Sequence, residues 1–293
     1  MPRYSRRDFL KATAAAGAVV TLGDLPLTAE TPKATDWVPL GPSGVKVTRL
    51  AFGTGSFSGE VQRNLGQDGF NRLVRHAYDS GIRFFETADS YADMHTMLGI
   101  ALQGIPRDNY ALLTKVTTFD GVKPQDRIDE LRHQARTDYF DVMLLHWQRG
   151  TQWPHETTGW QDAIDEAQHR GVVKARGASV HGLPALAQVP TFNWLQVAMI
   201  RCNHKGTRMD TPVADSGETG NVTEVVERIH QAHAAGMGVL SMKLIGEGVF
   251  NREDRQKAMR FAFRTAKVDA VTVGYKNNAE VDEAIENINM AFA

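Results

Sequence analysis

Cysteine is almost missing from this chain: one residue, Cys202, among 293. No intrachain disulfide can form, and a zinc or iron–sulfur centre built from several cysteines is excluded on the same count. An excess of charge is also lacking, since 33 Lys and Arg stand against 34 Asp and Glu, a formal charge of −1. That balance offers nothing to nucleic acid, and no acidic block forms a disordered tail. Long hydrophobic runs are absent too. The apolar stretch near the N-terminus, Ala12 to Leu22, is alanine-rich and interrupted by Gly17. Eleven residues are too few to span a hydrocarbon core of roughly 30 Å, so no stable membrane anchor is expected.

What stands before that stretch gives it a meaning. Ser5-Arg6-Arg7-Asp8-Phe9-Leu10-Lys11 is a basic segment followed directly by a short apolar one, the layout of a secretory signal. The paired arginines with Phe9-Leu10-Lys11 resemble the twin-arginine export signal of bacteria. The resemblance implies recognition by the export machinery through residues 5–11, folding in the cytoplasm before transport, and a periplasmic or otherwise exported protein. Leu27-Thr28-Ala29 offers a small-residue cleavage site, so residues 1–29 read as the signal and 30–36 as a linker. Removing 1–29 from the 293 leaves 264 residues, close to the roughly 250 of a single (β/α)₈ barrel.

The remaining chain alternates short apolar strands with amphipathic helices. Val45–Val47 and Val47–Phe52, then Ile82–Phe85, Tyr110–Lys115, Tyr139–His146, Val172–Ser179, Trp194–Ile200, Gly238–Met242 and Ala270–Val273 read as strands. Between them, apolar residues at helical spacing mark helices, for example Phe70, Leu73, Val74 and Ala77, closed by Ser80-Gly81. About eight β→α units with nearly continuous apolar strands point to parallel strands buried on both faces. The fold class is therefore α/β, a single-domain (β/α)₈ TIM barrel over 37–293, with a doubly wound sheet as the alternative. Gly53-Thr54-Gly55-Ser56-Phe57-Ser58-Gly59 has the wrong glycine spacing for a dinucleotide fingerprint, and no helix opens at once behind it.

Four ionisable groups fall at or just past predicted strand ends: Glu86 and Tyr91, then Lys115, then His146. In a barrel those ends converge on one mouth. Such a set can protonate a carbonyl oxygen. Tyrosine, near pKa 10, is a poor acid at neutral pH unless a cation lowers it, which Lys115 could do with Glu86 holding the lysine. His146 could hydrogen-bond and orient the carbonyl. Each residue alone has an ordinary explanation in packing or solvation; their joint placement carries the reading. A metal-dependent hydrolase using His95, His146 and His204 is a further reading, against which solvated loop histidines account for His95 and His204.

Several separated motifs resemble the aldo/keto reductase family across the chain after the signal. Pro39–Val47 with Phe52-Gly53-Thr54-Gly55 is similar to its opening hairpin and first strand, and Glu86-Thr87-Ala88-Asp89-Ser90-Tyr91 to its Asp-Thr-Ala-x-x-Tyr-Gly motif. Leu113-Thr114-Lys115, Leu145-His146-Trp147 and Gly171–Ser179 resemble later strands. The resemblance implies NAD(P)H-dependent reduction of an aldehyde or ketone to an alcohol. Tyr91 would be the general acid, with Lys115, His146 and Glu86 completing the catalytic set. Gly53 and Thr54 would lie in the cofactor site, and Ser179, Gln196 and Asn203 would hold the nicotinamide carboxamide. Met242 and Lys243, Gly246 and Gly248, and Gly274, Lys276 and Asn277 would line the cofactor after the last two strands. Lys276 would meet a 2′-phosphate, favouring NADP(H) over NAD(H), with Glu280 and Glu283 near the adenine.

The chain departs from the pattern in places. Glu86 stands for Asp, Ala92 for the glycine after the tyrosine, Val180-His181 for the asparagine after the serine, Met242 for a stacking tyrosine, and Ala284 for an asparagine. These departures motivate an alternative: an exported barrel that binds a nucleotide or ligand as an accessory or sensor protein with little catalysis.

Overall fold

The structure is a computed structural model and describes residues 30–118 and 121–293. The twin-arginine segment at 5–11 and the signal at 1–29 lie outside the described residues. Ten strands follow in order: β1 (Trp37–Pro39), β2 (Lys46–Thr48), β3 (Leu50–Gly53), β4 (Phe84–Glu86), β5 (Ala111–Thr117), β6 (Phe140–Gln148), β7 (Val173–Val180), β8 (Val197–Arg201), β9 (Gly238–Met242) and β10 (Ala270–Val273). Strands β3 to β10 pair in parallel, each with its sequence neighbour, and β10 closes back on β3. Closure removes both sheet edges and rules out the doubly wound alternative. β1 and β2 form an antiparallel hairpin, Val38 opposite Val47.

The larger helices are α1 (Gly66–Asp79), α2 (Met94–Ala101), α3 (Pro124–Gln134), α4 (Thr158–His169), α5 (Val222–Ala234), α6 (Arg252–Phe261) and α7 (Asn278–Phe292). Their buried residues are those the spacing marks, such as Phe70, Leu73, Val74 and Ala77 on α1. Among the described residues no helix is long and apolar enough to cross a membrane.

Strand side chains alternate between two faces. One set, including Phe52, Phe85, Leu112, Met143, Leu145, Ile200 and Val239, packs outward with the helices. The other fills the barrel: Ala51, Phe84, Leu113, Val142, Leu144, Ala175, Val197, Met199 and Leu240, with Val38, Leu40, Val45 and Val47 of the hairpin segment joining them. Continuing this inward series by twos toward the C-terminal ends turns it polar: Phe84 to Glu86, Leu113 to Lys115, Leu144 to His146. The site is the upper layer of the barrel's own interior.

Several strands depart from their expected limits. β5 and β6 run two residues beyond Lys115 and His146, so both side chains sit inside the strand ends. β8 begins at Val197 rather than Trp194, because the Arg176 guanidinium packs over the Trp194 ring (5.4 Å) and the Trp194 indole N–H bonds Asp165 (2.8 Å).

Candidate active site

Lys115 and Glu86 are 1% and 3% exposed, and the Lys115 ammonium contacts the Glu86 carboxylate. Lys115 Nζ also donates to the Thr87 carbonyl at 3.0 Å. The other Glu86 oxygen, Oε2, accepts from the Thr272 hydroxyl at 3.0 Å. Lys115 Nζ lies 4.8 Å from the centre of the Tyr91 ring, and His146 meets that ring edge-on with centroids 5.6 Å apart. The Tyr91 hydroxyl has no hydrogen-bond partner among the described residues, and Tyr91 lines a cavity shared with Glu86 and Lys115.

Local sequence explains how Tyr91 is held. The Asp89 carboxylate accepts from the Thr117 amide (2.8 Å) and hydroxyl (2.6 Å), tying the loop after β4 to the end of β5. Ser90 Oγ lies 3.2 Å from His146 Nδ1. Gly55 passes so close above that a Cβ there would sit 2.7 Å from the Tyr91 oxygen, so only glycine fits. Ala92, which follows the tyrosine, has φ +45°. This left-handed backbone accounts for the glycine usual at that place.

Electrostatics follow from burial. Burial raises the Tyr91 phenol above its ordinary value, and the Asp89 and Glu247 carboxylates push the same way. The phenol therefore keeps its proton at neutral pH. Burial, and secondarily the Lys243 ammonium, push the Lys115 amine well below the usual lysine range. The touching Glu86 carboxylate is the group that opposes this. Burial, with Lys115, His181 and Lys243 behind it, holds His146 well below the usual imidazole range and so neutral.

The cavity is about 390 Å³, within the range of small-molecule and cofactor sites. It runs from Tyr91 past Met199 and Met242 to the loops after β9 and β10 and then to α6 and α7. Of the residues expected to hold a cofactor, Gly53, Met242, Lys243, Gly248, Gly274, Lys276, Glu280 and Glu283 line it. The donor set suits a dinucleotide: a reacting end at Tyr91, an apolar floor of two methionines, and a far end carrying Arg255 and Lys276.

The other expected residues stand behind the wall. The Thr54 hydroxyl and amide both donate to the Glu86 carbonyl at 3.0 Å, joining β3 to β4. Ser179 Oγ accepts the Trp147 amide at 3.0 Å. Asn203 Nδ2 donates to the Thr207 and Lys243 carbonyls at 2.7 and 3.2 Å, bracing two loops. Gly246 donates its amide to the Lys243 carbonyl, and Asn277 caps α7 by accepting the Glu280 amide at 3.0 Å.

Gln196 does not join the site. It precedes β8 at the opposite end of the barrel, where its Oε1 accepts the Arg176 amide at 3.1 Å. Its expected contact with the nicotinamide is corrected accordingly: Met199, three residues on and in phase with the inward series, is the β8 residue facing the cavity.

Sequence reading also misses Arg255, which pairs with both oxygens of Glu283 at 2.7 and 2.9 Å, as well as Thr272 and Asn287. The inward period of two could have found Thr272 from Ala270; nothing in the spacing links Arg255 to Glu283.

Pairing between β6 and β7 slips between Leu145 and Gln148, and Trp147 takes φ +58°. The slip turns Trp147 out to the rim, 41% exposed, while His146 stays inside. The Trp147 indole N–H bonds Asp215 at 2.8 Å, and Arg201 and His181 hold the same carboxylate at 2.7 and 3.2 Å. The three histidines of the metal reading have separate partners: His95 bonds the Thr114 hydroxyl at 2.7 Å, His146 faces Ser90, and His204 lies 3.6 Å from Asp254. Among the described residues, no three of His, Cys, Asp and Glu are grouped to hold a metal ion.

The aldo/keto reductase family model matches residues 49–290, and the twin-arginine translocation signal model matches residues 3–23. L-galactose dehydrogenase from Arabidopsis thaliana is 31% identical over 117 residues, covering 36% of this chain and 36% of that protein. Methylglyoxal reductase DkgA from Yersinia pestis is 23% identical over 179 residues, covering 55% and 64%. The chain thus spans less than two thirds of the length of these relatives. A provisionally assigned aldo-keto reductase from Pseudomonas aeruginosa superposes with a TM-score of 0.72 at 20% identity, covering 89% of this chain and 98% of the other. The aldo-keto reductase AKR11C1 from Bacillus halodurans gives 0.68 at 17%, covering 87% and 91%. With the family model matched over nearly the whole barrel and that barrel recurring in these solved structures, the chain belongs to the aldo/keto reductase family.

Proposed function

We propose that this protein is an NAD(P)H-dependent oxidoreductase that reduces aldehyde or ketone carbonyls to alcohols. The observation that carries the reading is the Tyr91 hydroxyl, without a hydrogen-bond partner among the described residues, in one cavity with a buried Lys115–Glu86 pair. The bound nicotinamide would supply hydride to the carbonyl carbon. Tyr91 gives its proton to the carbonyl oxygen as that bond forms, and the Lys115 charge stabilises the phenolate left behind until a proton returns from solvent. Glu86 keeps Lys115 charged, so that the pair together lowers the cost of losing the phenol proton. Neutral His146 accepts from Ser90 at Nδ1 and donates its Nε2–H to the carbonyl oxygen, fixing the face it presents. Ser179 contributes indirectly by seating Trp147, and Asn203 by bracing the loops beside Lys243.

The domain reading is a signal over 1–29, a linker over 30–36 and a catalytic barrel over 37–293. The matched signal supports export by the twin-arginine machinery to the periplasm of a bacterium. That route carries folded proteins, so the cofactor would be loaded before transport.

The test is NADH and NADPH oxidation by the purified chain across a panel of aldehydes and ketones. Turnover supports the reading. Nucleotide binding without turnover across the panel would favour an exported binding protein instead. The expected preference for NADP(H) rested on Lys276, whose surroundings bear on it directly.

A further inference from the structure

Besides Glu86 and Lys115, the cavity is lined by three cations and three carboxylates, and they are not free in equal measure. Lys243 contacts Glu247, four residues on. Arg255 is held by both oxygens of Glu283, at 2.7 and 2.9 Å. Only Lys276 has no carboxylate partner among the described residues. Beside it stands Glu280, whose Oε2 accepts the Lys276 backbone amide at 2.8 Å while its own amide is capped by Asn277. The start of α7 is thus already occupied by a carboxylate from its own first turn, and the second oxygen of Glu280 has no partner among the described residues.

We propose that Glu280 selects the dinucleotide here, accepting a hydrogen bond from the 2′-hydroxyl of the adenosine ribose and disfavouring a 2′-phosphate, so that the protein prefers NAD(H) to NADP(H). This rests on the reductase reading, which puts the nicotinamide at Tyr91 and the adenosine at the opposite end. An acidic side chain on the ribose hydroxyls suits NAD(H), whereas the 2′-phosphate of NADP(H) is met by an arginine free to reach it; here Arg255 is held by Glu283, and Lys276 stands beside the Glu280 carboxylate. Here a phosphate would meet Lys276 but also the Glu280 carboxylate. Drawing Arg255 toward it would strip Glu283 of its partner and leave a second bare carboxylate on the same phosphate. The sequence-based preference for NADP(H) counted Lys276 and overlooked what its neighbours do to it.

The experiment is direct binding of NADH and of NADPH, by titration calorimetry or quenching of protein fluorescence, to the wild type and to Glu280→Gln. Glutamine keeps a cap for the Lys276 amide and removes the charge; thermal unfolding checks that the variant is folded. Wild type is expected to bind NADH more tightly. Glu280→Gln is expected to weaken NADH by roughly tenfold, the weight of one charge-assisted hydrogen bond, while tightening NADPH. Tighter NADPH binding by the wild type, or an unchanged ratio in the variant, would overturn the role of Glu280 while leaving the reductase reading intact. Failure of both nucleotides to bind would overturn both.

Discussion

The Glu86 carboxylate bridges two strands, contacting the Lys115 ammonium of β5 with one oxygen and the Thr272 hydroxyl of β10 with the other. The extra methylene relative to aspartate is thereby accommodated. Breaking a buried pair from one side costs about 3–5 kcal/mol, unless the amine sheds its proton instead. Glu86→Gln should lower the unfolding midpoint and cut turnover together. Glu86→Asp withdraws the carboxylate by roughly 1.5 Å, one C–C bond, and should also lose activity, because the shorter side chain cannot reach both partners. Full activity of Glu86→Gln would show that the charge on Lys115 needs no counter-ion.

Ala92 carries a left-handed backbone directly after Tyr91. Such a conformation costs an L-residue about 1–2 kcal/mol, while glycine gives back about 0.4–1 kcal/mol through its freer unfolded chain. Ala92→Gly should therefore stabilise the protein slightly, by about 0.5–1 kcal/mol in denaturant unfolding, with no loss of activity. Destabilisation would mean that the loop holding Tyr91 is not strained there.

His95 on α2 gives acid sensitivity a defined sign. Burial, with Arg127 adding to it, pushes its imidazole down to about 3. The unfolded chain takes up a proton near the ordinary value of about 6.5. Above that value the residue is neutral in both states and contributes no pH dependence; below it the unfolded state gains protons and stability drains away toward pH 3. His95→Leu should be less stable than wild type near neutrality, having lost the bond to Thr114, but the gap should shrink as pH falls. Urea midpoints over that range measure it, and a gap that stays constant would contradict a neutral buried His95.

Trp147 depends on a residue far along the chain. Its indole bonds Asp215, a carboxylate that the hydrogen bond from His181, chiefly, holds below the usual carboxylate range. Asp215→Ala should free the ring, seen as easier quenching of Trp fluorescence, and raise KM for bulky carbonyls several-fold while leaving kcat nearly unchanged. A fall in kcat alone would place Asp215 in the chemistry rather than at the rim.

Much of this was legible in the residues. Nearly continuous apolar strands alternating with glycine-closed helices pointed to eight parallel strands, and the ionisable residues at their C-terminal ends to one mouth holding Glu86, Lys115 and His146. Gln196 entered on the family resemblance alone; it precedes the first residue of β8, and its side chain is spent on the Arg176 amide at the other end of the barrel. The slip between β6 and β7 that turns out Trp147, and the closing of Arg255 on Glu283, depend on tertiary contacts with no local signature. The charge balance around Lys276 was hidden likewise, because a carboxylate four residues on reads as an exposed helix residue until its contact with the Lys276 amide is seen.

The central claim is that Tyr91 is the proton donor for carbonyl reduction. Its most direct test is steady-state oxidation of the tighter-binding reduced nucleotide with a reactive aldehyde, comparing wild type with Tyr91→Phe, alongside a nucleotide titration of each. The expected result is a loss in kcat of roughly 10²–10⁴-fold with nucleotide affinity unchanged. Equal rates for the two proteins would contradict the claim.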